Sequence, residues 1–353
     1  MTNMPFASPR YDVVAIGNAI FDILAHVEDD FLVREKLAKG SMRLVDITES
    51  ARLYNRIGQA TRMSGGSAGN TAAAVASYGG KAAYVGKVSD DDNGRAYAHD
   101  MRGIGVFFDV APLPKSQDIR TATSIILVTP DGERTMNTSL AACQELSKDD
   151  IDIDLIRDSA ITYMEGYLWD PAKAKEAFRL AAQVAKEAGR KVALTLSDAF
   201  CVDRYRGEFL DLVRTGKVDT LFANDHELRS LYETADLNSA LDALAKDAQL
   251  GVVTLGEKGS ITVTSEERIE VGTPKVDDIV DLTGAGDVFA GGYLFVAMTA
   301  AGTAELVTRC LIRRLRRFRA GTSELAFDGI LWKDDGLPAF LSRTSPVFPD
   351  DRD

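Results

Sequence analysis

Cysteine and histidine are scarce in this chain. The cysteines, Cys143, Cys201 and Cys310, stand far apart, and the histidines are His26, His99 and His226. That spacing makes no metal-ligand or redox pattern and argues against a structural zinc site. Histidines in no catalytic arrangement also argue against Ser–His and Cys–His chemistry. No Gly-x-x-x-x-Gly-Lys-Ser/Thr occurs, so there is no P-loop. Gly17-Asn18-Ala19, after the first apolar run, lacks the Gly-x-Gly-x-x-Gly dinucleotide fingerprint, which speaks against a dehydrogenase. Positive charge is in deficit: 41 Lys and Arg face 53 Asp and Glu, a net charge of −12. Neither nucleic acid nor an anionic membrane is then expected as the main partner. Residues 1–10 hold no long apolar core, so no secretory signal is read there, and a cytoplasmic, reducing location is expected. The one nearly uncharged run, 288–304, is short for a membrane span and has Gly284, Gly286, Gly291, Gly292 and Gly302 in or near it. It reads as a buried, closely packed helix.

What is present is ordinary globular composition, 45% hydrophobic and 27% charged over 353 residues. The stretch that stands out is Asp281-Leu-Thr-Gly-Ala-Gly-Asp287, between a β-favouring run at 273–280 and the small, apolar run after it. It reads as a loop opening a helix. Gly284 and Gly286 allow a tight turn and close approach of backbone N–H groups. A helix N-terminus suits an anion such as phosphate. Asp287 in the first turn is held as the anion a general base needs, which together suggests phosphoryl transfer onto a hydroxyl. An acidic first turn after a Gly-rich loop is the plainer alternative.

Other elements are read from pattern. A strand is expected at 11–17, a helix at 31–38 and a strand at 42–45. A glycine-rich turn at 62–70 precedes an Ala-rich helix at 71–78, a strand at 82–88 and a helix at 91–101. Asp131-Gly132 between β-rich runs at 121–129 and 133–138 predicts a hairpin. From about residue 150, strands at 161–165, 192–196, 220–224 and 252–255 alternate with helices at 171–188, 204–214 and 237–248. That alternation predicts an α/β fold with a mostly parallel sheet flanked by helices, and ligands at the C-terminal strand ends. Asn18, Glu165, Ser197, Asp198, Asn224 and Gly256 fall there. A second hairpin is expected at 260–263 and 269–272.

Three further groups carry alternatives. Thr254-Leu-Gly256-Glu-Lys-Gly259 could lie against a nucleotide or be a simple β-turn. Asn224-Asp-His-Glu227 has capping-box spacing, or could hold magnesium through water beside phosphates. Asn18 with Asp22, and Asn70 of the glycine loop, suit sugar hydroxyls, or are a turn residue and a helix-start asparagine.

Together these features resemble the ribokinase-type (PfkB) carbohydrate and nucleoside kinase family, its adenosine kinase branch most of all. The resemblance covers about residues 12–310. It rests on motifs in the family's order: Gly17-Asn-Ala-Ile-Phe-Asp22, Gly65-Gly-Ser-Ala-Gly-Asn70, Asn224-x-x-Glu227, Thr254-x-Gly-x-x-Gly259 and Asp281-x-Thr-Gly-Ala-Gly-Asp287. It implies a ribokinase-like kinase domain over 1–310, with a small β-sheet lid from insertions near 22–47 and 106–137. Asp287 matches the family's catalytic base, and Gly284, Ala285 and Gly286 its anion hole. Asn18, Asp22, Gly65, Gly66 and Asn70 match the acceptor side, and Arg134 matches a lid arginine near the phosphates. Asn224, Glu227, Thr254, Gly256, Gly259 and Thr283 match the ATP side, with Mg2+ met by Glu227 through water. The expected partners are ATP and a small nucleoside or sugar, adenosine first, with a monomer or a homodimer both open.

The chain departs from that pattern after Cys310. The family continues there with a small-residue helix against the adenine; here residues 311–319 carry Arg313, Arg314, Arg316, Arg317 and Arg319. A basic amphipathic helix of this kind could meet a membrane surface or a partner. The tail to Asp353 shows no clear helical period. A frameshift near codon 311 would produce such a break. Translation of the gene in its other two frames tests it: neither yielding a Gly/Ala-rich helix refutes the idea.

Overall fold

The structure is a computed structural model, and it describes residues 8–273 and 284–299. Most of the strand expected at 273–280, Thr283, and all of 300–353, including the arginine-rich segment, lie outside those residues.

The chain opens with β1 (Tyr11–Ile16), β2 (Ile20–His26), α1 (Asp29–Glu35), β3 (Met42–Leu44), α2 (Ile47–Tyr54) and β4 (Ala60–Gly65). It continues through α3 (Ser67–Ser77), β5 (Ala82–Val85) and α4 (Asp92–Gly103) to the hairpin β6 (Ala122–Val128) and β7 (Arg134–Ser139). Next come α5 (Ile153–Arg157), β8 (Ser159–Glu165), α6 (Ala172–Glu187), β9 (Lys191–Thr195), α7 (Ala199–Arg214) and β10 (Thr220–Asn224). The last described elements are α8 (Asp225–Leu231), α9 (Leu237–Asp247), β11 (Leu250–Thr254), β12 (Ser260–Val263), β13 (Arg268–Val271) and α10 (Ala285–Thr299).

The large sheet has the order β13-β12-β11-β10-β9-β8-β1-β5. It is parallel from β11 to β5, with β12 and β13 antiparallel at one edge. Both faces are buried, and residue alternation divides each strand between them. In β1, Val14 and Ile16 join the core under α5 to α9, while Val13 and Ala15 join the core under α3, α4 and α10. Such two-sided burial is why these strands read as unbroken apolar runs.

The second sheet has the order β3-β7-β6-β2-β4. In β2, Phe21, Ile23 and Ala25 are buried on one face, where Leu32 and Leu53 pack. Asp22 lies on the other, level with Ser124 and Met63. Two expectations change here. The resemblance puts segment 106–121 in the lid, but Phe107 and Leu113 bridge to Ala83 and Ser89 beside the large sheet. Conversely, β4 supplies an edge strand where the sequence suggests only a turn, because its residues alternate little in polarity. Helix α7 also starts earlier than expected. Asp198 caps it by accepting from the Cys201 N–H at 2.6 Å, and non-helical angles at Tyr205 break it near the expected start. Among the described residues, no helix is long and apolar enough to cross a membrane.

Candidate active site

The strand order changes direction between β1 and β8, and a crevice forms at such a switch point. There the chain leaves β1 through Gly17 and Asn18 and leaves β8 at Glu165. The Glu165 carboxylate accepts from the Asn18 backbone N–H at 2.8 Å and from its Nδ2 at 2.7 Å. Its other oxygen accepts from the Ala68 N–H at 2.7 Å. One buried side chain thus ties the end of β1 to the first turn of α3. Burial pushes the Glu165 carboxyl up to about 7, and the donated bonds oppose it. A side chain on Gly17 would strike Glu165 and Ala68, so the close approach requires glycine.

The residues expected on the acceptor side gather around this tie. Gly66 caps α3 with φ of 87°, and a Cβ there would run into the Asn18 carbonyl. Gly65 leaves room for the Asp22 carboxylate, which a Cβ would occupy. Burial lifts the Asp22 carboxyl to about 7; Arg134, at the start of β7, pulls it down, and Asp287 adds repulsion.

Asp287 lies in the first turn of α10, after Gly284 in the left-handed region at φ of 73°. Val288 N–H donates to the Gly284 carbonyl at 2.8 Å, which starts the helix. Both carboxylate oxygens of Asp287 are held by α3. Ser67 Oγ donates to Oδ1 at 2.7 Å and Asn70 Nδ2 to Oδ2 at 3.0 Å. Burial raises the Asp287 carboxyl above its usual value, and these two donors lower it. The helices meet closely because Gly291, one turn after Asp287, faces Ala74 and the Thr71 carbonyl.

The remaining residues sit at the ends of β10 and β11, where Asn224 pairs with Thr254. Asn224 and Glu227 form a full capping box. Asn224 Oδ1 accepts from the Glu227 N–H at 2.8 Å, and Glu227 accepts from the Asn224 N–H at 2.9 Å and Nδ2 at 2.6 Å. Burial, with repulsion from Asp198 and Asp225, lifts the Glu227 carboxyl to about 7. This donor set fits a hydrated divalent cation, since each Glu227 oxygen keeps a lone pair beside other carboxylates. Among the described residues, no cluster of three or more carboxylate, His or Cys groups forms a direct ligand shell. Gly256 and Gly259 take φ of 58° and 108°, and a Cβ on Gly259 would meet the Val271 carbonyl. Burial first, then repulsion from Asp198, Glu227, Cys201 and Glu165, raises the Tyr167 hydroxyl well above its usual value.

Two residues of the site escape the motif-based assignment: Glu165 and Ser67. Glu165 carries one signal, a lone carboxylate closing an otherwise uncharged strand. Ser67 carries another: Gly65-Gly-Ser-Ala-Gly69 spells Gly-x-Ser-x-Gly, a nucleophile-elbow pattern. Ser67 does come after a strand and open a helix, but its hydroxyl donates to a carboxylate rather than to a histidine.

A glycine-led helix start with a buried carboxylate inside it, near a second buried carboxylate beside a glycine loop, has the chemistry a phosphotransferase acting on hydroxyl groups needs. The chain belongs to the pfkB family of carbohydrate kinases, which matches residues 37–309. Among solved structures, it is 50% identical to the adenosine kinase of Sinorhizobium meliloti, covering 85% of this chain and 90% of that one, with a TM-score of 0.79. It is 46% identical to a probable sugar kinase of Rhizobium etli, with 86% and 91% covered and a TM-score of 0.80. It is also 33% identical to a probable fructokinase-3 of Arabidopsis thaliana over 236 residues, 65% of this chain and 68% of that protein.

Proposed function

We propose that this chain is an ATP- and magnesium-dependent kinase that phosphorylates the primary hydroxyl of a ribonucleoside, adenosine first. The observation that carries the reading is Asp287, held in the first turn of α10 by Ser67 and Asn70. In this reading Asp287 removes the hydroxyl proton, and Gly284, Ala285 and Gly286 steady the charge on the transferred phosphoryl group. Asn18, Asp22, Gly65, Gly66 and Asn70 hold the acceptor, and Arg134 approaches the phosphates. Asn224, Glu227, Thr254, Gly256, Gly259 and Thr283 take the ATP side. Magnesium, reached from Glu227 through water, would neutralise phosphate charge. Fifty per cent identity to an adenosine kinase supports the choice of acceptor.

A fructose- or ribose-type acceptor is the second reading, supported by the fructokinase relative. A nucleoside- or sugar-binding protein with an impaired ATP side is a third, motivated by the break after Cys310. The family match ends at residue 309, which supports a kinase domain ending near 310 and a distinct segment from 311 to 353. If that segment is the protein's own, ATP affinity falls below that of ordinary kinases, and an ATP titration measures it. A cytoplasmic location fits the reading.

The test is an acceptor panel of adenosine, inosine, ribose and fructose with ATP and magnesium. Adenosine giving the highest kcat/KM supports the proposal, and turnover of fructose alone replaces it with the second reading. Calorimetric binding of adenosine with no turnover of any acceptor selects the third. Asp287→Asn is expected to abolish turnover while acceptor binding persists; a variant keeping more than a few per cent of the rate removes Asp287 as the base.

A further inference from the structure

Both oxygens of the base carry a donor, yet the two donors are anchored differently. Ser67 is the first residue of α3. Its carbonyl accepts from Thr71 Oγ1 at 3.1 Å, and the next N–H, on Ala68, is fixed on the buried Glu165 carboxylate. Its hydroxyl therefore leaves a backbone pinned on both sides. Asn70 reaches Asp287 with one amide N–H at a longer 3.0 Å. It is also the group that faces the acceptor in the kinase reading, and the role given to Ser67 rests on that reading.

We propose that Ser67 is a positioning residue for the base. Its hydroxyl fixes Oδ1 of Asp287 and leaves Oδ2, shared with Asn70, as the oxygen that takes the acceptor's proton. When an acceptor hydroxyl arrives, Asn70 exchanges its bond to Oδ2 for one to the sugar. The hydroxyl then donates to Oδ2 in its place. The acceptor O–H bond breaks toward Oδ2 and the new O–P bond forms. The bond from the γ-phosphorus to its bridging oxygen breaks, and ADP leaves with that electron pair. Ser67 stays bound to Oδ1 throughout. Without it, the carboxylate is free to turn about its side-chain bonds, and it loses a donor that favours the anion.

Other titratable groups lie in the field of Asp287. They are Asp22 on β2 and Tyr163 and Glu165 on β8, with Arg134 on β7 acting on Asp22. A substitution at Ser67 leaves all of these in place. A moved acid limb in Ser67→Ala therefore belongs to Asp287.

The experiment uses the full chain with ATP, magnesium and adenosine, and compares Ser67→Ala with Ser67→Thr, which keeps the hydroxyl. Alanine suits a helix start, so the fold is expected to survive. Ser67→Ala should lower kcat by about tenfold or more while the KM for ATP stays within about twofold. Its acid limb should move up by roughly half a pH unit or more, because the lost donor favoured the anion. Ser67→Thr should stay within about threefold of the parent on both measures. A Ser67→Ala enzyme with unchanged kcat, an unmoved limb, or a loss equally present in Ser67→Thr overturns the proposal. A parent silent with every acceptor would instead defeat the kinase reading. The contact is then still tested by a stability cycle of Ser67→Ala with Asp287→Ala on ligand-free protein. Coupling of roughly threefold or more in the unfolding equilibrium supports it, and additivity refutes it.

Discussion

Replacing Gly291 with alanine should damage catalysis more than it damages the fold. The new methyl carbon would stand 2.6 Å from the Ala74 Cβ and 2.8 Å from the Thr71 carbonyl oxygen. Ordinary contact between carbon atoms is about 3.5–4.0 Å, so α10 must move from α3 by about 1 Å. Gly291 and Asp287 share a helix face, four residues apart in sequence. The same movement therefore stretches the Ser67 and Asn70 bonds, now 2.7 and 3.0 Å. Both would pass the range of about 2.7–3.2 Å in which such bonds hold. Overpacking costs about 1–3 kcal/mol, but replacing a helical glycine with alanine returns about 1 kcal/mol. The net loss of stability is then about 0–2 kcal/mol. A displacement of about 1 Å at a reacting group, by contrast, lowers the rate on the order of a hundredfold. The assay pairs thermal unfolding with kcat and KM for both substrates. A Gly291→Ala enzyme with kcat within twofold of the parent would refute the claim that this helix contact places the base.

The same geometry supports other expectations. Asp22 titrates near 7 because burial raises it, so acceptor KM should rise as pH falls below that value, and Asp22→Asn should flatten the profile. A raised folded-state carboxylate binds its proton more tightly than the unfolded chain does, so it destabilises the ligand-free protein as pH climbs from about 4 to about 7, by about 1.4 kcal/mol for each pH unit climbed. Asp22→Asn should then be more stable than the parent at pH 8, with the gap closing toward pH 4; urea titrations at both values decide it. Gly207 lies exposed inside α7, with nothing within 4 Å of its would-be Cβ. Gly207→Ala should raise stability by about 0.5–1 kcal/mol without touching activity, and a lower melting temperature would contradict the helical account.

The parallel sheet was legible because strands β8 to β11 are buried on both faces and separated by helices of ordinary length. The capping box at Asn224 and Glu227 was legible for a different reason: its partners lie three residues apart, within one turn. Asp287 and the glycines before it were readable as a loop opening a helix from local chemistry. What could not be read was adjacency across long sequence separations. Glu165 meets Asn18 only because β8 lies beside β1, with 147 residues between the partners. Strand β2 was missed as an element since Asp22 interrupts its apolar residues, and only the paired sheet shows that Asp22 faces away from them. The early start of α7 was hidden by Tyr205, whose backbone leaves the helical region in mid-course.

The bond from Ser67 to Asp287 joins positions 220 residues apart. A contact of that span carries a large loop-closure cost and slows folding relative to local contacts. During synthesis, the glycine loop and the second sheet emerge long before α10 does. If Asp287 is the base, a nascent chain holds its glycine loop well before it has that base. On the kinase reading, activity reports the docking of α10 onto α3, and loss of that docking should silence the protein at denaturant concentrations where the sheet is still intact.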